Sequence, residues 1–172
     1  MNTFALPELF DRLGTPERMR QLAGYDLFAP GLSDRLNAIA ARTAQRLDAP
    51  VSLVSVILDS SQWIVGGYGI QGWVADVQGT PAEWALCTHT VLTGRPYCVA
   101  SAAESEHADN PLVRMTGLRS YAGMPLQDGS GHTLGAHCVM DVGTRVFHDD
   151  ELAVLRDGAD EIMTVLAGVR QA

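Results

Sequence analysis

The chain is predicted to fold as an α+β domain, a mainly antiparallel sheet with helices on both faces. Three observations predict it. From Leu118 to Asp141 two apolar runs flank the polar segment Gln127–His132, whose Asp128-Gly129 and Ser130-Gly131 pairs signal a hairpin turn. Both runs are too apolar for a sheet with one wet face, so this hairpin belongs mid-sheet, covered on both sides. A second hairpin pairs the β-branched run Val51–Leu58 with Gln62–Gly69 across the turn Asp59-Ser60-Ser61. Finally, Ser33–Leu47 and the stretch after Asp149 each carry one apolar stripe at helical spacing, Leu36, Ile39, Ala40, Thr43, Leu47 in the first and Leu152, Leu155, Ala159, Ile162, Leu166 in the second.

The remaining elements follow in order. An N-terminal helical arm, residues 1–30, carries the stripe Leu6, Leu9, Phe10, Leu13 up to Gly14. Thr15-Pro16 then restarts helix as N-cap and first position, through Met19 and Leu22 to Gly24. The arm is expected to pack on the domain, residues 31–172, or on a second copy of it. Gly66, Gly67 and Gly69 suggest a bulge or a close backbone approach in the second strand. Ile70–Gly79 reads as a loop with Trp73 exposed, suited to covering a pocket. Thr80-Pro81-Ala82-Glu83 reads as a capping box for a helix through Trp84, Cys87 and Val91 to Gly94. Pro96–Ala100 is a short strand, Ser101–Asp109 a loop, and Asn110-Pro111 opens a brief helix to Gly117. Asp149, Asp150 and Glu151 suit the positive end of the last helix. The terminal helices should share one face, and the middle helices and loops should roof a cavity on the other.

Composition bounds the function. The 172 residues suit one domain, which at this size buries roughly 70% of its unfolded surface. A net charge of -8 and a pI near 4.9 argue against nucleic acid as a partner. No apolar run approaches the ~20 residues that span a bilayer, and Met1–Glu8 lacks a basic and an apolar leader segment. The expected location is therefore cytoplasmic, away from membrane. All 12 basic residues are arginines, which removes lysine-dependent phosphate loops, Schiff bases and Ser-Lys hydrolases. The widely spaced Cys87, Cys98 and Cys138 form no C-x-x-C pair and read as buried thiols rather than zinc ligands.

Five pieces in order resemble bacterial GAF domains across Leu32–Val165: Arg46–Val54, Leu86–Val91, Asp109–Val113, Leu118–Leu126 and Leu134–Asp141. The resemblance implies a sensor fold that often dimerises through its terminal helices. It also implies a pocket that, across the family, takes cyclic nucleotides, tetrapyrroles, 2-oxo acids or amino acids. Fold does not choose among them. This chain departs from the family in three places. Ser101 replaces an aspartate common after the third strand. An arginine–phenylalanine pair is missing from the next loop, where His107 stands. On the fifth strand, His137 replaces an apolar residue before the cysteine. The lost charges weaken a charged ligand, and the two histidines point to metal, haem or a proton-sensitive site.

The candidate ligand-binding residues are Trp63, Cys87, His89, Ser101, Arg119, Tyr121 and His137, with His137 or His107 as axial ligand if haem is bound. Strand alternation sets His137 with Gly135 and Val139, opposite Cys138; that face is either the pocket or the helix-covered core. Leucine at position 137 would restore the family pattern and is expected to leave the fold intact. Cys87 and His89 lie about 200° apart around a helix, too far to form a nucleophile pair. Arg119 suits an anionic group such as a haem propionate. His132 and His148 should face solvent. Three functions remain: a sensor that binds a small molecule and signals through a homodimer or partner, a haem or redox protein of the same fold, and an enzyme of the free methionine sulfoxide reductase type. The clustered cysteine spacing expected of the third is absent from the sequence.

Overall fold

The structure, a computed structural model, describes residues 5–171; the first four residues of the expected arm and the last residue of the chain lie outside them. Six antiparallel strands form one sheet in the order β3-β2-β1-β6-β5-β4. They are β1 (Val51–Ile57), β2 (Ser61–Tyr68), β3 (Gly79–Pro81), β4 (Tyr97–Val99), β5 (Ser120–Gln127) and β6 (Thr133–Asp141). The two expected hairpins are β1–β2 and β5–β6, joined through β1–β6 pairing, so the Leu118–Asp141 hairpin does lie inside the sheet.

The helices are α1 (Leu6–Leu13), α2 (Pro16–Ala23), α3 (Leu32–Arg46), α4 (Trp73–Val77), α5 (Cys87–Thr93), α6 (Pro111–Thr116) and α7 (Asp149–Ala167). Two cores flank the sheet. One joins α3 and α7 to the strand residues Val54, Val56, Val65, Ala122, Met124 and Val139. The other gathers Leu53, Ile57, Ile64, Leu86, Val99, Tyr121 and Cys138 beneath α4, α5 and α6. The alternation that puts successive strand residues on opposite faces makes this split. Close approach explains Gly66: a Cβ there would lie 2.5 Å from the Leu36 Cβ of α3, beside a bulge where the β1–β2 register slips.

The arm packs on the domain and touches both cores. Leu9 and Leu13 of α1 are buried in the pocket-side core, Leu22 and Tyr25 in the other. Thr15 caps α2 by accepting from the Arg18 amide. The Arg18 guanidinium donates to the carbonyls of Leu13 (3.0 Å), Ile57 and Leu134 (3.2 Å), tying helix to sheet end. Burial lowers its pKa to about 10.

Two local expectations are corrected. Thr80 and Glu83 do not form a capping box; Gly79–Pro81 pairs with β2 as an edge strand, a 3-10 turn follows, and α5 begins only at Cys87. Tertiary pairing outweighs the local signal, since the Thr80 hydroxyl is engaged by Gln62 and by the Pro81 carbonyl. The loop Ile70–Gly79 contains the short α4, entered and left through Gly72 and Gln78 at positive φ. Among the described residues no helix is long and apolar enough to cross a membrane.

Candidate functional site

Between the sheet and the α4 and α6 segments lies a cavity of about 570 Å³. Its walls are mainly apolar, with Leu53, Ile64, Leu86, Leu112 and Met140 inside, and Trp73, Met115 and Val142 at 40%, 55% and 66% exposure. Large exposed apolar side chains gathered on one cavity are unusual on a solvated surface and mark a place where something binds.

Few polar groups face the space. Gln62, on β2 in phase with Ile64, is buried and donates through Nε2 to Thr80 Oγ1 at 3.2 Å. The Thr80 hydroxyl directs its own proton to the Pro81 carbonyl, 3.2 Å away, and accepts from the amide. Gln62 Oε1 is left buried without a partner. Cys87 and Tyr121 form a polar patch on the cavity wall. The Tyr121 hydroxyl donates to Cys87 Sγ at 3.2 Å and lies 3.3 Å from Thr90 Oγ1, while Cys138 Sγ stands 3.8 Å from Cys87 Sγ. Hydrogen bonding to Cys138, ahead of opposing burial, draws the Cys87 thiol down to about 7; the same contact and burial hold Cys138 well above its ordinary range. Gly123 is needed here, because a Cβ would meet the Tyr121 hydroxyl at 2.2 Å.

The cavity brings together only two of the seven candidate ligand residues, Cys87 and Tyr121. His137 belongs to the opposite face. It is fully buried, with Nδ1 3.0 Å from the Leu53 carbonyl and Nε2 2.9 Å from Thr43 Oγ1. A carbonyl only accepts, so Nδ1 carries the proton and Nε2 accepts from Thr43. Burial pushes its pKa down to about 4. Trp63 also faces α3 and stacks against Phe28 at 4.9 Å. The Arg119 guanidinium turns back to the Leu118 carbonyl, and Ser101 sits half-buried before a 3-10 turn; neither lines the cavity. His89 and His107 are buried together beside Tyr97, away from the cavity wall. Among the smaller expectations, Cys98 is exposed rather than buried, and His132 is half-buried against Glu17 at 3.0 Å. His148 is solvent-facing as expected.

A haem held by His137 or His107 in this cavity does not fit these residues: neither histidine lines it, and both His137 nitrogens are engaged on the other face. Sequence reasoning missed Gln62 and Thr80. Alternation along β2 sets Gln62 opposite Trp63, but the strand alone does not say which side is hollow.

The GAF domain family model matches residues 31–166. The fold is similar to that of the GAF domain of a Coxiella burnetii phosphoenolpyruvate-protein phosphotransferase, at 15% identity, 96% coverage of each chain and a TM-score of 0.68. It is similar to a free methionine-R-sulfoxide reductase from Neisseria meningitidis solved in complex with its substrate, at 12% identity, covering 98% of this chain and 94% of that one, with a TM-score of 0.66. It is also similar to a phycocyanobilin-bound GAF domain from a cyanobacterial phytochrome, at 14% identity, 98% and 97% coverage and a TM-score of 0.63. These identities carry likeness of fold alone. No curated protein matches the sequence. With the matched segment spanning both hairpins and both terminal helices, the chain belongs to the GAF domain family.

Proposed function

We propose that this protein is a small-molecule sensor whose ligand is compact, largely apolar and equipped with one hydrogen-bond donor. The carrying observation is the pairing of an apolar cavity with Gln62 on its wall, whose buried Oε1 has no partner. A buried acceptor without a partner is costly, and a ligand N–H or O–H removes that cost while apolar walls supply affinity. The one carboxylate on the cavity, Asp141, is engaged by the amides of Val142 and Gly143 and by Arg145, and no arginine lines the space, so an anionic ligand has no counter-charge. The bound state would pass on through self-association or a partner, the terminal helices α3 and α7 offering the outer layer for it.

Mass spectrometry of small molecules extracted from the purified protein, followed by thermal-shift assays with the species found, tests this reading. Gln62→Leu is expected to weaken that ligand by about tenfold, the loss of one buried hydrogen bond of roughly 1–1.5 kcal/mol. A ligand that binds equally well to the variant, or a Soret band in the protein's absorption spectrum, would reject the proposal. Light scattering that returns the 18.5 kDa monomer both with and without ligand would remove self-association as the output.

A further inference from the structure

Beyond the cavity, at the β4 edge of the sheet, four side chains converge. His89 projects from α5, Tyr97 from β4, and Glu106 and His107 from the turn before α6. The His89 and Tyr97 rings stack at 4.8 Å and 10°, and the His107 ring meets His89 edge-on at 5.0 Å. One donor atom from each of His89, Glu106 and His107 lies within 4.8 Å of the other two.

The second observation is hydrogen-bonding bookkeeping. His89 is 8% exposed, and its Nε2 is buried without any partner. A buried ring nitrogen in that state costs free energy unless something unseen completes it. His107 Nε2 lies 2.6 Å from the Tyr97 hydroxyl and 3.7 Å from Glu106 Oε1, and the same hydroxyl stands 3.4 Å from that carboxylate oxygen. A neutral imidazole keeps one ring nitrogen with a lone pair to offer a metal ion.

We propose that His89, His107 and Glu106 bind a divalent transition-metal ion at the β4 edge, with one coordination position left open. Two imidazoles and a carboxylate are a donor set for zinc, iron(II) or cobalt(II) rather than for calcium or magnesium, which prefer oxygen. A tetrahedral site with bonds of ~2.0–2.2 Å needs donors roughly 3.3–3.6 Å apart, so the trio must close by about an ångström. The half-exposed Glu106 side chain can swing to do so. On closure His107 Nε2 turns from the phenol to the metal. Tyr97 then donates to the Glu106 carboxylate, already 3.4 Å away, and becomes an orienting partner behind the ligands. The site is separate from the apolar cavity but adjoins it through Tyr121, whose ring lies 6.1 Å from that of Tyr97 and whose hydroxyl bonds Cys87.

The test uses the full, untagged chain, stripped with chelator and titrated with zinc by calorimetry and with cobalt(II) by visible absorption. One equivalent is expected to bind, with ligand-field bands of nitrogen and oxygen coordination and no thiolate charge-transfer band. Glu106→Gln, at an exposed position that does not threaten the fold, should weaken binding at least as much as the ~10–100-fold typical of losing a supporting partner. His89→Phe, which keeps the stack on Tyr97, should abolish it. No binding, binding untouched by either substitution, or a thiolate band from the cysteine pair would each overturn the proposal.

Discussion

Both faces of the sheet bury imidazoles, and they treat them in opposite ways. Under α3 and α7, His137 is closed on both sides, donating to the Leu53 carbonyl and accepting from Thr43. Helix α7 comes down onto it only because residue 158 is glycine, where a Cβ would sit 2.7 Å from His137 Nε2. On α5 itself, His89 is almost as deeply buried but its Nε2 has no partner, and on the same face of the sheet Gln62 Oε1 is likewise bare. The helix-covered face is finished as it stands, whereas the other has polar capacity in reserve. That contrast, more than the presence of histidine, separates structural residues from candidate binding ones.

The sharpest way to break the comparison is His137→Ala. It opens a cavity and strands both the Leu53 carbonyl and the Thr43 hydroxyl, so stability should fall by about 3 kcal/mol in urea unfolding. Leucine at this position, expected from the family pattern to be tolerated, should be destabilising too, because it fills the space but leaves the same two groups unpaired. Neutral behaviour in both variants would mean that this face is no more complete than the other.

Acid titration is comparable in size. The folded pKa of His137 lies below its ordinary value of 6.5, at about 4, so the unfolded chain takes up the proton first. Its contribution is intact above pH 6.5 and drains away as pH falls towards 4, by roughly 3 kcal/mol at 1.36 kcal/mol per pKa unit. His107 and His89 are shifted in the same direction and add to the slope. His137→Gln should therefore flatten, without abolishing, the loss of stability between pH 6.5 and 4.

On the reserve side the sign should reverse. His89→Phe removes a buried nitrogen that has no partner, and metal-free protein should gain about 1 kcal/mol or lose nothing. A loss as large as that at His137 would show that His89 is a structural histidine after all. The smallest effect belongs to the surface. Glu17 is first among the influences that raise His132 above its ordinary pKa, through a 3.0 Å contact that joins α2 to the β5–β6 turn. A raised pKa stabilises at low pH and fades as pH climbs through it, so Glu17→Gln should lower stability slightly below pH 6.5, less than any substitution above, and leave it unchanged well above that pH.

Much of the fold was legible because it rests on periodicity. The apolar runs around Asp128-Gly129 fixed the inner hairpin, and the stripes of α3 and α7 fixed the helix layer. Local rules failed at Thr80, where a good capping signal lost to pairing with Gln62 and β2. The site was less readable for a geometric reason: alternation tells which residues share a face, not which face is hollow. His137 and Cys138 were correctly set on opposite sides, yet only the packing of α7 on Gly158 shows that the histidine side is the closed one. Nor does the sequence bring His89 to His107, 18 positions along the chain; the turn after β4 does that.

The family match starts at residue 31, but the two buried layers start earlier. Leu9 and Leu13 seal one layer, Leu22 and Tyr25 the other, and a single guanidinium plugs three main-chain oxygens where the layers meet. Trimmed to the matched segment 31–166, the protein would be opened along both seams at once. The stretch that looks most like an appendage is the bolt that holds the two halves of the shell shut.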